Sequence, residues 1–527
     1  MRGWAGVKGR RVLAVLLLWA GAGIIALAQS TTPGPSESVT SSTPLPLFAT
    51  LFNFDFNNGA YPYAGLIQGV DGNLYGTTFG GGCGQGNEGE GCGVVFKAST
   101  SGSLTALYFF CSQGGDECTD GLLPQNALVQ GTDGNFYGMT SNGGAGYDND
   151  QGTVFKMTPS GQLTTLHSFC SDYENGMCLD GAKPFGSLVE GMDGNFYGTT
   201  GAGGNTIEDA GTVFRITSSG QLTMLYNFCT VAQDEQCLDG AGPEAGLVMG
   251  SDRKFYGTTR DGGVNTNGGT VFSITSGGML TTLYSFPDTC TDGCTPVAPL
   301  IEGRDGNFYG TTLMGGPLPG GNGTVFKITR GGQLTTLYSF CQQEIGLECL
   351  DGSEPMAPVM QGTDGNFYGT TAYGGIDDQG GCGVRCGTAF QLTPQGQLTV
   401  LHDFCSETDC ADGFQPQVGL MQDTNGNLYG MAFGGGDYGT IYRLNMGLKP
   451  FVEANPAAAK VGKKIGILGT DLTGASSVSF NGVAASFVGK SPTLIVAEVP
   501  SGATSGKITV QLPNATLTSN VPFVVLR

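Results

Sequence analysis

Residues 48–54, Phe-Ala-Thr-Leu-Phe-Asn-Phe, align without a gap with residues 334–340, Leu-Thr-Thr-Leu-Tyr-Ser-Phe, far along the chain. The later segment closes a unit of four short runs: APLIEG (298–303), NFYGTT (307–312), GTVFKIT (323–329) and QLTTLYSF (333–340). β-Branched and aromatic residues fill each run and Gly, Asn and Asp separate them, the pattern of strands and turns. We label the strands A to D. Short Asp-Gly-Asn and Gly-Gly joints between A and B and between C and D predict hairpins. The B–C and D–A connections are long, variable and glycine-rich.

The unit recurs seven times. Its marker, Asp-Gly-Asn-Phe-Tyr-Gly-Thr-Thr at 193–200, returns with small changes from Asp71, Asp133, Asp252, Asp305, Asp364 and Asn425, spaced 53 to 62 residues apart. Repeats of this length indicate a solenoid or a propeller. Two adjacent apolar residues in strand B, Phe308 and Tyr309 in the fifth unit, point to opposite faces because side chains alternate along a strand. Each sheet therefore needs a neighbour on both sides, and a closed ring supplies one to every sheet. The seventh unit provides A (418–422), B (427–432) and C (439–444) and then lacks a D; residues 48–54 are that missing strand. A linear solenoid has no use for such a displacement. The predicted fold is all-β: a seven-bladed β-propeller over 47–446, closed by an N-terminal strand.

Composition narrows the partners. The 527 residues include 93 glycines without a three-residue period, which excludes collagen. Charged residues make up 13%, with 44 acidic against 23 basic side chains and a net charge of −21. Such a surface repels nucleic acid and anionic lipid, so neither is an expected partner. Residues 1–28 read as an export signal, with basic residues up to Arg11, an apolar run from Val12 to Leu27 and a small-x-small site at Ala26-Leu27-Ala28. Residues 29–46 are rich in Ser, Thr and Pro and read as a linker. No later segment is apolar enough for a membrane-spanning helix. The expected location is outside the cytoplasm, secreted or at the cell surface.

Sixteen cysteines agree with export. Six close pairs occupy matching positions in the D–A loops: Cys111/Cys118, Cys170/Cys178, Cys229/Cys237, Cys290/Cys294, Cys341/Cys349 and Cys405/Cys410. Cys83/Cys92 and Cys382/Cys386 form two more in B–C loops. Even number and local spacing favour disulfides; zinc is the alternative, but its sites bring four ligands together and each pair here lies in a different loop.

The D-G-N-F/L-Y-G-T-T and G-T-V-F-K-I-T blocks resemble the tandem Gloeo_Verruco (GloVer) repeat of exported bacterial proteins, over about three quarters of the chain. That resemblance implies export and brings no established activity. The marker is also similar to the D-G-N-L-W turn of lyase-type propellers, but those depend on a central histidine that this sequence does not supply. After Met446 the composition changes. Residues 449–527 resemble an IPT/TIG domain, an immunoglobulin-like β-sandwich, through GILGTDL (466–472), VSFNGVA (478–484), AEVP (497–500) and GATSG (502–506). Alternating apolar positions support a sandwich independently.

Catalytic constellations are scarce. The two histidines, His167 and His402, occupy the strand D position that is tyrosine in Tyr108, Tyr226, Tyr284 and Tyr338, and read as tyrosine substitutes in a packed strand. No G-x-S-x-G elbow and no phosphate-binding loop occur. Acidic pairs in the B–C loops are Glu88 and Glu90, Asp148 and Asp150, Glu208 and Asp209, and Asp377 and Asp378; Asp-Gly steps at Asp120, Asp180, Asp239, Asp351 and Asp412 end the D–A loops. Carboxylates so placed suit an acidic solvated face, a calcium site or paired-carboxylate glycoside chemistry. The aligned strand A residues Gln68, Gln130, Glu190, Met249, Glu302, Gln361 and Gln422 are expected to line the central channel as a solvated or ligand-facing polar ring.

The function expected from these features is an exported binding or interaction scaffold. It would hold a glycan or extracellular protein on the long-loop face, with Asp148, Asp150, Glu208, Asp209, Asp377 and Asp378 as candidate contacts. No catalytic residue and no cofactor is assigned, calcium being the one metal considered. A carbohydrate-active hydrolase or lyase using loop carboxylates, or a purely structural envelope protein, are the alternatives.

Overall fold

The computed structural model describes residues 47–83, 91–113, 117–205, 209–233, 236–264, 267–316, 321–345, 348–376 and 386–526. The leader and linker lie outside them. So do Glu88, Glu90, Glu208, Asp377, Asp378 and Cys382.

Seven four-stranded antiparallel sheets succeed one another in the repeat region. The fifth is typical: A is Ile301–Glu302, B Phe308–Thr312, C Thr324–Ile328 and D Leu334–Ser339. Strand A is only two residues long, shorter than the six-residue run suggested, because the residues before it turn toward the centre. The last sheet takes A, B and C from Met421–Gln422, Leu428–Ala432 and Thr440–Asn445, and its outer strand from Leu47–Asn53. The C–D pair of the fifth sheet skips one residue between Thr336 and Tyr338, and the borrowed strand skips one between Thr50 and Phe52. The same bulge at aligned positions identifies the N-terminal strand as the seventh D.

Aromatic stacking joins the sheets. The strand B tyrosine of one sheet lies on the strand B phenylalanine of the next: Tyr137 on Phe196 at 3.9 Å, Tyr197 on Phe255 at 4.1 Å, Tyr256 on Phe308 at 3.9 Å. Leucine takes the phenylalanine's place in the first and last sheets, so Tyr429 packs in one cluster with Leu74. A second set sets the phenylalanine after each D against the next strand C, from Phe110–Phe155 at 5.3 Å round to Phe54–Phe96 at 5.4 Å. That last contact joins the seventh sheet to the first and closes the ring. These rings are almost wholly buried, and aromatic pairs add about 0.5–1.5 kcal/mol each beyond area burial.

The C-terminal domain packs two four-stranded sheets around Val452, Ile465, Ile467, Val478, Phe480, Ile495, Ile508, Val510 and Phe523. It touches the A–B turns: Thr493 Oγ1 donates to Val70 O at 3.2 Å, Asn520 Nδ2 to Gln361 O at 3.3 Å, and the Thr470 and Thr424 hydroxyls bond at 3.0 Å. A cavity of about 150 Å³ on that side is lined by Gln422, Phe451, Glu453 and Asn520 among others. The short-turn face is therefore partly covered by the sandwich, and the long-loop face stands opposite it. No helix among the described residues is long and apolar enough to cross a membrane.

Candidate functional site

The repeated marker is a hairpin anchor. Asp133 accepts the backbone N–H and side-chain amide of Asn135, the hydroxyl of Tyr137 at 2.9 Å and Lys156 Nζ at 2.7 Å. Asp71 and Asp305 repeat the arrangement with Lys97 and Lys327. Burial pushes the Asp133 carboxyl up, but the bonds from Lys156 and Asn135 outweigh it and bring it down to about 2. The carboxylate's partners lie within the turn and the adjoining strands, so the motif has a structural role.

The Asp-Gly carboxylates are also structural, which corrects their reading as part of a solvated acidic face. Asp120, Asp351 and Asp412 are 0% exposed. Asp351 accepts Tyr338 Oη at 2.6 Å and the backbone N–H groups of Gln342 and Gln343. Asp412 takes His402 Nε2 at 3.0 Å where Asp351 takes tyrosine, and Asp180 takes His167 Nε2 at 2.9 Å. Burial opposes ionisation of Asp180 and Asp412, but the histidine and serine donors win and hold both below the ordinary carboxylate range. The histidines thus stand in for tyrosine as donors to a buried aspartate.

The strand A ring has a different role from lining alone. Gln130 Oε1 accepts the backbone N–H of Val70 in the preceding sheet at 2.9 Å. Glu190, Glu302, Gln361 and Gln422 do the same for Thr132, Ser251, Arg304 and Thr363, and Gln68 does so for Thr424. The fourth sheet carries Met249 and makes no such bond. These side chains staple neighbouring sheets.

The long-loop face holds the disulfides Cys83–Cys92, Cys111–Cys118, Cys170–Cys178, Cys229–Cys237, Cys290–Cys294, Cys341–Cys349 and Cys405–Cys410. Cys386 is also disulfide-bonded. Asp148 is exposed there, Asp150 bonds Asn142 and pairs with Lys183 at 3.2 Å, and Asp209 accepts the Gly203 N–H. Tyr147 and Tyr173 stack at 3.7 Å beside Asp148. Among the described residues no group of three or more His, Cys, Asp or Glu side chains is placed to hold a metal.

At the centre of the same face lies a cavity of about 290 Å³. Each repeat reaches it through one device. A residue with left-handed backbone precedes a proline: Tyr61 (φ 55°), Leu123 (55°), Lys183 (53°), Gly242 (62°), Thr295 (57°), Glu354 (54°) and Gln415 (52°). Its N–H donates to the preceding repeat and its C=O accepts from the residue after strand B, as Leu123 does with Cys92 O and Ser141 N. The residue after the proline then lines the cavity: Tyr63, Gln125, Phe185, Glu244, Val297, Met356 and Gln417. Two positions on, a small or cyclic residue (Gly65, Ala127, Ser187, Gly246, Pro299, Pro358, Gly419) completes the wall.

The residues after strand B support this lining. Gln125 Nε2 donates to Ser141 Oγ at 3.1 Å, and Arg260 pairs with Glu244 at 2.9 Å. The Glu244 bond raises the Arg260 guanidinium further. Burial, and then the nearby Tyr373 hydroxyl, pushes the Tyr63 hydroxyl above its ordinary value. The lining is mixed: aromatic and aliphatic groups for apolar faces, two amides and one carboxylate for polar ones, the composition of a ligand pocket. Sequence reasoning missed this ring. The signal was present: a proline recurs at the same place in every repeat, and the residue following it changes from copy to copy.

No curated protein matches the chain. Among solved structures, an auxiliary nutrient binding protein from Bacteroides thetaiotaomicron is 11% identical with a TM-score of 0.38, over 75% of this chain and 75% of that one. A protein of unknown function from the same organism is 14% identical with a TM-score of 0.36, over 76% of this chain and 75% of that one. The IPT/TIG family model matches residues 452–525. The Gloeobacter/Verrucomicrobia repeat model matches residues 37–238 and 230–442, and the chain belongs to that repeat family.

Proposed function

We propose that the chain is an exported binding protein whose ligand, a glycan or a segment of an extracellular protein, is held by the cavity at the centre of the long-loop face. One observation carries this reading. Seven structurally equivalent positions, fixed by the same turn, present six residue types to one cavity: Tyr63, Gln125, Phe185, Glu244, Val297, Met356 and Gln417. Packing alone would favour the uniformity seen at the strand B aromatics. Chemical variety at a position whose backbone is fixed seven times over by the same hydrogen-bonded turn is what a recognition surface on a rigid frame needs. The sandwich on the opposite face leaves this side free, and the disulfides suit an oxidising compartment. On this reading the loop carboxylates Asp148, Asp150 and Asp209 form the outer margin of the binding face, and Glu208, Asp377 and Asp378 lie outside the described residues.

The test is a broad screen of glycans and extracellular proteins against the purified mature chain, repeated with Phe185→Ala. Binding that weakens about tenfold or more in the variant, at unchanged melting temperature, is expected of a central contact. Folded protein that binds nothing in the screen, or binds equally well as Phe185→Ala, sinks the proposal.

A further inference from the structure

Six aromatic rings run without a break from the outer edge of the seventh sheet to the cavity. Phe56 meets Tyr438 at 5.3 Å, Tyr438 meets Tyr61 at 6.0 Å, and Tyr61 stacks on Phe433 at 5.1 Å. Phe433 then meets Tyr63 at 5.1 Å, and Tyr63 meets Phe79 at 5.6 Å. All six residues are half-buried.

The fold does not require them. The positions of Tyr61 and Phe79 are held elsewhere by Leu123 and Ser141, Lys183 and Gly201, Gly242 and Arg260, Thr295 and Leu313 and so on, with identical backbone hydrogen bonds. Aromatic residues fill both of these positions only at the seam between the seventh and first sheets. The loop above them is the shortest of its kind, residues 55–61, and is closed by reciprocal Asp55–Asn58 hydrogen bonds in place of the disulfide-stapled excursion seen in the other six. The short loop thus makes no disulfide-stapled excursion of the kind that the other six D–A loops make above the equivalent positions.

Chemistry selects the occupant. Among the described residues no hydrogen bond engages the Tyr61 or Tyr438 hydroxyl, and exposed Asp55 and Asp437 flank Phe56 and Tyr438. The six contacting side chains are all aromatic, unlike the aliphatic lining of a groove for an amphipathic helix or a lipid chain. Sugar rings present C–H faces to aromatic surfaces and hydroxyls to tyrosine and carboxylate groups. The acidic flanks and the net charge of −21 disfavour anionic polymers. We infer that this track binds a neutral polysaccharide chain, several sugar residues long, whose end enters the central cavity. The inference rests on the binding role proposed for that cavity and names its ligand class.

Affinity electrophoresis of the mature chain through gels containing a neutral glucan, xylan or galactomannan, with alginate as the anionic counterpart, tests it. The expected result is retardation by at least one neutral polymer and none by alginate. Tyr61→Ala and Tyr438→Ala should each weaken retardation roughly tenfold while leaving the melting temperature within a few degrees. Tyr438 stands away from the cavity, so its variant remains informative if Tyr61→Ala disturbs the turn. Absence of retardation by every neutral polymer, preference for alginate, or retention of full retardation in both variants overturns the track. Binding of a protein or peptide in the broader screen, lost in Phe185→Ala but not in Tyr61→Ala or Tyr438→Ala, also overturns it and leaves the cavity reading standing.

Discussion

Gln68 Oε1 accepts the Thr424 backbone N–H at 3.1 Å, and Gln68 Nε2 donates to Thr424 Oγ1 at 3.2 Å, joining the first sheet to the last across the seam. Covalent continuity is missing only inside the seventh sheet, where Leu47–Asn53 pairs with Thr440–Asn445; this pair and Phe54 on Phe96 reinforce the junction that residues 54–66 then make with the first sheet. Gln68→Leu removes acceptor and donor at a part-buried site, and the loss should be about 1–3 kcal/mol. Met249→Gln should act in the opposite direction, supplying the staple that the fourth sheet lacks and adding about 0.5–1 kcal/mol. Urea denaturation of both variants against the parent checks the pair; a destabilised Met249→Gln would show that the staple is not the reason for the amide at this position.

His402 lies flat on Phe48 of the borrowed strand, with ring centroids 3.7 Å apart, and bonds Asp412, which is 0% exposed. His402→Tyr should be within about 1 kcal/mol of the parent, because tyrosine performs this task at Tyr338 and Tyr226. His402→Leu keeps bulk but leaves the buried carboxylate short of a donor, at a cost of about 1–3 kcal/mol. Thermal denaturation of the two variants separates a donor role from a packing role; equal losses in both would sink the substitution argument.

Asp133 has its folded-state carboxyl held at about 2, below the 3.8 of an unperturbed group. A depressed folded value means that ionisation favours the folded state. The contribution is complete above about pH 4 and is lost as pH falls through the window from about 4 to 2. Because the Asp133 side chain is 39% exposed, solvent screens the pair with Lys156 and the contribution is modest. Asp133→Asn should therefore be less stable than the parent at pH 7, with the difference shrinking below pH 4. A difference that is the same at pH 7 and pH 2.5 in chemical denaturation would count against this electrostatic origin.

The frame was legible because repetition averages over local noise. Seven copies of a doubly apolar strand B required stacked sheets, and the missing seventh D appeared as residues 48–54 at the other end of the chain. The cavity was not legible by the same means, because attention went to what the copies share. Phe185 and Glu244 look unrelated until the proline before each is aligned, and no periodicity reveals that Lys183 and Gly242 adopt the same left-handed turn. The carboxylates misled for the opposite reason. Asp351 and Asp412 stand in loops, where acidic residues usually meet water, yet three-dimensional closure buries them against tyrosine or histidine from the neighbouring strand. Sequence distance hid that contact.

Thr295 makes the cavity-forming turn at a conformational cost. Its φ of 57° is left-handed, and a β-branched residue there is strained by about 1–2 kcal/mol, whereas the equivalent Gly242 is not. Among the described residues its hydroxyl has no hydrogen-bond partner that would offset the strain. Asparagine tolerates this conformation and lacks the unfolded-state entropy of glycine. Thr295→Asn should therefore raise stability by about 0.5–1 kcal/mol, a shift of about 1–2 °C in melting temperature for a domain of this size. The backbone bonds Thr295 N–H to Gly268 O and Leu313 N–H to Thr295 O remain, so Val297 stays in the cavity wall and ligand affinity should not change. Calorimetry and binding on the same preparation decide it. An unchanged or lower melting temperature would mean that the threonine side chain stabilises this turn by more than its backbone strain costs.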